Sequence, residues 1–161
     1  MNYLAGMFRA AYLMDRGPWY AKPFVDVNVT HIDRDSVRET GGGAANLSVA
    51  GGSETFFSVT PSLEIGGDID RGDGRIVRPF VRAGVTFYDD TDQALTASFA
   101  GAPAGVSSFL ITTDFDDIFA DVEAGVTLFD GDHATYSVTY EGRLSEDTQQ
   151  HSFFIKGTKK F

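Results

Sequence analysis

The chain has 161 residues, of which 42% are hydrophobic, 22% charged and 13% aromatic, enough for one domain with a core and too few for two ordinary ones. No window holds the roughly 18 uninterrupted apolar residues of a membrane-spanning helix, the net charge of -10 opposes binding to a phosphate backbone, and the absence of cysteine removes disulfides, thiolate metal sites and cysteine nucleophiles together. Fourteen Phe, six Tyr and eighteen Gly, with few helix-forming runs, lean the chain towards β-structure.

Residues 1–14 (MNYLAGMFRAAYLM) are apolar, but Arg9 interrupts the run, no basic segment precedes it, and Asp15-Arg16 follows where small cleavage-site residues belong. The segment reads as a strand that starts abruptly, with any export signal expected upstream. From Trp19 to Ile32, Ala21, Pro23, Val25, Val27 and Val29 alternate with Lys22, Phe24, Asp26, Asn28 and Thr30, the two-residue period of a strand. The Gly41-Gly42-Gly43 run reads as a loop, since no strand-loop-helix frame surrounds it to make a phosphate cradle. From Arg75 to Tyr88, Val77, Pro79, Val81, Ala83, Val85 and Phe87 oppose Arg78, Phe80, Arg82, Gly84 and Thr86. From Phe119 to Leu128, Ala120, Val122, Ala124, Val126 and Leu128 oppose Asp121, Glu123, Gly125 and Thr127, and Ala134 to Glu141 repeats the pattern.

The period predicts about nine strands, near 3–14, 19–32, 42–49, 53–67, 75–89, 93–100, 106–128, 133–144 and 149–161. Tight turns are expected at Asp15 to Pro18, Gly51-Gly52, Asp89 to Asp92 and Asp130-Gly131-Asp132. Longer loops are expected at Asp33 to Gly41, Asp68 to Gly74 and Gly101 to Gly105. Short turns on one side and long loops on the other are the asymmetry of an outer-membrane barrel. Lys22-Pro23-Phe24-Val25, Arg78-Pro79-Phe80-Val81 and, more loosely, Thr60-Pro61-Ser62-Leu63 form a weak repeat. Proline inside a strand belongs at an edge, and three strands cannot all be edges in a small sheet, so a bulge or strand end is expected at each.

Alternation alone fits a soluble sandwich, with the apolar face inward, as well as a membrane barrel, with that face on lipid. Two features favour the barrel. The polar faces mix charge with glycine and threonine, as a crowded hydrogen-bonded lumen requires, and the chain ends in an alternating strand with an aromatic last residue. Many aromatic residues, among them Tyr12, Trp19, Phe87, Tyr136 and Tyr140, lie near expected strand ends, where interfacial girdles form.

The segments Gly41 to Gly67 (GGGAANLSVAGGSETFFSVTPSLEIGG), Arg78 to Phe87 (RPFVRAGVTF), Ser98 to Thr113 (SFAGAPAGVSSFLITT) and the stretch from Ala124 to the terminus resemble, in order and composition, the C-terminal translocator domain of bacterial autotransporters. The resemblance implies an all-β fold over residues 1–161, an antiparallel up-and-down transmembrane β-barrel with about nine of the family's twelve strands present. It implies a location in the cell outer membrane of a Gram-negative bacterium, where the barrel anchors and delivers an N-terminal passenger absent from this chain. The lipid, the barrel-assembly machinery and the passenger are the implied partners, with no nucleic acid, no cofactor and no enzymatic activity. Phe153, Ile155 and Phe161 look like the signal read by the assembly machinery, although Lys159 stands where the family usually carries a second aromatic. With about three strands missing, an isolated piece would leave unpaired edges facing lipid, so the chain is expected to be a fragment or to close unusually. A small closed barrel without passenger and a soluble β-sandwich binding module are the alternative readings.

Arg78, Arg82, Asp121 and Glu123 are the candidate lumen-facing residues, with arginines of one strand expected to pair with acids of another. Asp68 to Gly74 is acidic but lacks the spacing of a calcium loop, and its Arg71-Gly72-Asp73 triplet is a weak adhesion match expected on the outer side. No metal site is predicted. No nucleophile elbow, P-loop or H-E-x-x-H motif is present, which leaves His151 beside Ser152 as a weak catalytic candidate.

Overall fold

The structure, a computed structural model, describes residues 1–72, 74–89, 93–103, 105–113, 115–130 and 133–159. Strands follow the alternation: β1 (Asn2–Ala11), β2 (Met14–Arg16), β3 (Trp19–Arg34), β4 (Val37–Arg38), β5 (Leu47–Val49), β6 (Gly52–Gly67), β7 (Ile69–Asp70), β8 (Arg75–Tyr88), β9 (Gln93–Phe99), β10 (Phe109–Thr113), β11 (Ile118–Asp130), β12 (Ala134–Leu144) and β13 (Gln149–Lys159). A single 3-10 turn, Gly43–Ala45, is the only helical piece among the described residues.

Nine of these strands form one antiparallel sheet in the order β1-β3-β6-β8-β11-β12-β13, with β2 on β3 and β7 on β8. The sheet curls into a half-barrel. Because β2 and β7 continue β1 and β6 in unchanged register, seven strands run its length. These are not the expected nine. Segments 42–49 and 93–100 and the start of 106–128 do contribute strands, but to a second, four-stranded sheet ordered β10-β9-β5-β4. Their alternation is the same; length separates them, β5 having 3 residues and β9 having 7 against 16 in β3 and β6.

This reassignment changes the ends of the sheet. Gly51-Gly52 is not a hairpin turn, because β5 pairs with β9 and not with β6; the turn expected at Asp89 to Asp92 lies largely outside the described residues, and the strands that flank it, β8 and β9, belong to different sheets. The connections 17–18, 71–74 and 131–133 therefore share one end with the close of β13. The long connections 35–51 and 89–117, which carry the second sheet, share the other with 145–148. Asp68 to Gly74 consequently lies at the end of the tight turns, opposite to the outer position expected for it. There Asp70 accepts the Gly72 N–H (2.8 Å), while Asp73 lies outside the described residues.

The prolines make neither edges nor bulges. Pairing of β1 with β3 runs to Ala11 opposite Phe24, skips Pro23, and resumes in the same register with Met14 opposite Ala21. The Pro23 carbonyl still accepts the Tyr12 N–H (3.0 Å), while proline has no N–H to return. Pro61 interrupts the β6·β8 ladder between Val59 opposite Phe87 and Ser62 opposite Gly84, and Pro79 falls in the gap between the β6·β8 and β7·β8 ladders. Each proline thus removes a rung on one side of its strand and keeps the register on both.

Candidate functional site

Successive strand residues point to opposite faces, and here the faces differ in kind. The concave face carries a row of directly opposed neighbours, Lys22, Glu64, Arg82, Glu123, Glu141 and Ser152, across six strands. The convex face carries Val25, Leu63, Ile65, Val81, Val122 and Val126 across its middle, all 38–59% exposed, with Ile155 at 86%. No described element packs across that apolar face. The only buried hydrophobic residues among those described are Phe24 and Ala97, whereas Glu64 and Thr86 are 4% and 2% exposed. A soluble sandwich buries its apolar faces; this sheet presents them and shelters its charges.

Glu64 is the centre of the concave network. Its carboxylate accepts from the Tyr20 hydroxyl (3.0 Å) and from Arg82 Nη2 (2.7 Å), and Lys22 Nζ lies 2.6 Å away. Arg82 bridges onward to Glu123 through Nη1. One row further, Asp121 accepts from Arg143 Nε (2.8 Å) and the Thr86 hydroxyl (2.5 Å), and in the row beyond it Arg9 donates twice to Asp26 (2.5 and 2.7 Å). Phe24 lies beneath three cations, with Arg9, Arg82 and Lys22 at 4.5, 5.3 and 5.9 Å from its ring centroid. Arg9, Phe24, Arg82, Asp121, Glu123 and Arg143 are among the residues that line a groove of about 430 Å³. Glycines make room for the aromatic side chains beside it: a Cβ on Gly125 would lie 2.6 Å from the Phe80 ring.

The four expected lumen residues all lie on this face, but only one expected cross-strand pair forms, Arg82 with Glu123. Arg78 instead donates to Asp68 through Nε and Nη2 (2.6 and 2.8 Å) at the sheet's turn end, and Asp121 takes Arg143. Lys22, Glu64, Arg143 and Phe24 were not singled out in the sequence. The alternation puts Lys22 and Phe24 on a polar face, but the strand register that joins them to Glu64 and Arg143 is a long-range property. Phe153 and Ile155 are exposed on the convex face of β13, and Phe161 lies outside the described residues. His151 and Ser152 point to opposite faces: Ser152 opposes Glu141, while His151 meets the Tyr140 hydroxyl (2.8 Å) on the convex side. They do not form a catalytic pair. Among the described residues no cluster of three or more His, Asp or Glu has the arrangement of a metal site.

No curated protein matches the chain. The family model for the autotransporter beta-domain matches residues 2–141, ending within β12 and so before Phe153 and Ile155. With most of the chain inside that match and an open antiparallel half-barrel apolar on its convex side, the chain belongs to the autotransporter beta-domain family, the outer-membrane translocators of Gram-negative bacteria, which is not a family of enzymes.

Proposed function

We propose that this chain is the C-terminal wall of a pore that anchors an N-terminal passenger in the outer membrane and passes it to the cell surface. The observation that carries the reading is the inversion of faces, a convex side that is apolar and exposed across its middle around a charged concave one. On β3 the apolar convex positions run from Trp19 to Val29 and give way to His31 and Asp33. The ten steps from Trp19 to Val29 at about 3.3 Å each span about 33 Å along the strand, which at a barrel tilt of about 40° matches an apolar band of about 25 Å. Lipid is then the partner of the convex face. The passenger is the partner of the groove, and the barrel-assembly machinery is the partner of β13 through Phe153, Ile155 and Phe161. Nucleic acid remains an unexpected partner, because the excess charge is negative.

Strand parity constrains closure. With seven strands running the length of the sheet, β1 and β13 point the same way, so they cannot pair antiparallel with each other. An odd number of further strands, antiparallel to both edges, completes the wall; against the family's twelve that number is five. Energy for transport would come from folding of the passenger outside and from the assembly machinery. The test is to express the full chain behind an upstream barrel segment and an epitope-tagged passenger. The expected outcome is a tag accessible to protease on intact cells and a heat-modifiable band in the outer-membrane fraction. A chain that stays soluble and folded without detergent overturns the membrane reading, and a heat-modifiable barrel with the tag retained inside overturns passenger delivery.

A further inference from the structure

We infer that the turn end of the convex face carries a collar of cations that binds the phosphate headgroups of anionic phospholipids in the periplasmic leaflet, an inference that rests on the reading of that face as lipid-covered. At this end the convex apolar run gives way to a cation at the next outward-facing position. Arg16 follows Met14 on β2, Arg71 follows Ile69 past the end of β7, and Arg75 precedes Val77 on β8. Lys159 closes β13 beyond Ile155 and Gly157. All four are exposed.

Register gathers these side chains. Arg75, Asp130, Ala134 and Lys159 are successive opposed neighbours in one convex row. The Arg71 N–H bonds the Arg75 carbonyl (3.0 Å), which continues the β7·β8 pairing and sets the two arginines side by side. Asp130, 2.9 Å from Arg75 Nε, is the one carboxylate on that rim among the described residues. Asp15, Asp68 and Asp70 belong to the concave face, and Asp73 and Asp132 lie outside the described residues. Neither Arg16 nor Arg71 has a carboxylate partner among the described residues. Four cations against one carboxylate leave a rim that takes further anions, and guanidinium is the side-chain group best matched to phosphate.

Depth and sign select the ligand. The collar begins where the apolar band stops, beside Tyr136 and beside Trp19, which opposes Arg16; both aromatics are 52% exposed. Trp and Tyr favour the membrane interface, and long cationic side chains lay their stems on apolar surface with the charged head at headgroup level. Short turns face the periplasm in such barrels, so the anion met there is a lipid phosphate of the periplasmic leaflet. A zwitterionic lipid brings its own cation to the site, whereas an anionic one brings a net charge that the collar neutralises. The loop-end rim differs in sign: beyond the apolar run stand Asn2, His31, Thr55 and Asp89, none of them Lys or Arg. The site is thereby confined to one end of a chain whose net charge is -10.

The test uses the single tryptophan of the chain, Trp19, as its reporter. The full chain is reconstituted in phospholipid vesicles that contain brominated phosphatidylglycerol or brominated phosphatidylcholine at equal mole fraction, and quenching of Trp19 gives the relative affinity at the turn end. Phosphatidylglycerol is expected to bind at least about fivefold more tightly, the effect of about one cation at an anionic surface. Chloride and inorganic phosphate at equal ionic strength are expected to weaken that preference alike. Arg16→Gln with Arg71→Gln is expected to reduce it to below about twofold with heat-modifiable mobility unchanged, while Asp33→Asn at the loop rim leaves it as it was. Equal quenching by the two lipids, a preference that survives the double substitution, or one altered as much by Asp33→Asn overturns the proposal. Erasure by inorganic phosphate and not by chloride also overturns it, by assigning the arginines to a soluble anion. Quenching by neither lipid overturns the membrane reading and the collar with it, so the two failures are distinguishable.

Discussion

Arg82 stands between two carboxylates, Glu64 and Glu123, and its guanidinium lies 5.3 Å from the Phe24 ring. Removing it leaves the 4% exposed Glu64 with Lys22 alone and Glu123 with no described cation. Breaking one side of a buried pair costs on the order of 3 kcal/mol, most of it the penalty on the charge left behind. Arg82→Leu should lower the denaturant midpoint of the micelle-folded protein accordingly, and Arg82→Leu with Glu123→Gln should recover part of the loss. Equal midpoints for wild type and Arg82→Leu would show that the row is merely solvated. Asp68, outside the long strands, makes a pH-dependent contribution. The two bonds from Arg78 hold its carboxylate below the usual value of 3.8. A carboxylate depressed on folding stabilises above its unfolded pKa, and that stability disappears as pH falls through the folded one. Asp68→Asn should therefore be the less stable protein at pH 7, and the difference should shrink as pH falls below the ordinary carboxylate value and vanish once the folded carboxylate is protonated. A difference of the same size at every pH would refute the ion pair as its source.

At the scale of the element, period-two alternation made every long strand legible from Trp19 to Leu144, because each has one face that is apolar along its middle. What it could not convey was which strands are long enough to cross. The segment around Leu47 to Val49 and that around Ala94 to Phe99 alternate as well as β8 does, yet pair only in the second sheet. Miscounting them reversed the side assigned to Asp68 to Gly74. The prolines resisted the same reading, since whether a missing N–H matters depends on which neighbour it faces. In the candidate site the face was legible and the partners were not: Arg78 and Arg82 share that face four residues apart, but register gave one Asp68 and the other Glu64 and Glu123. β13 offers a test at this scale. Phe153 is 75% exposed on the convex face, and its Tyr140 neighbour lies 5.0 Å away ring to ring, so its removal costs little packing. If β13 carries the assembly signal, Phe153→Ala should reduce assembly in cells severalfold while leaving refolding in micelles nearly unchanged. Equal losses in both settings would make Phe153 a packing residue only.

For the whole molecule the decisive contrast lies in what each face tolerates. On a soluble sheet, an arginine at a position as exposed as Val81, 59%, would be close to neutral, since its head would sit in water. On lipid the same substitution is opposed by the apolar band at mid-depth, by about 2–4 kcal/mol, and the penalty falls to about 0–1 kcal/mol near the interface. Val81 lies in the middle of β8, and on the concave side its neighbours Phe80 and Arg82 point away from it. Thr55 lies on the convex face of β6 opposite His31, past the end of the apolar run. Val81→Arg should therefore destabilise the protein in phospholipid bilayers strongly and Thr55→Arg hardly at all, although both side chains replace outward-facing residues on the same sheet. The comparison is made by reversible denaturant unfolding from bilayers followed by gel mobility. Two equal, near-zero effects would mean that water and not lipid covers the convex face, and the inverted arrangement of charges would then need another explanation.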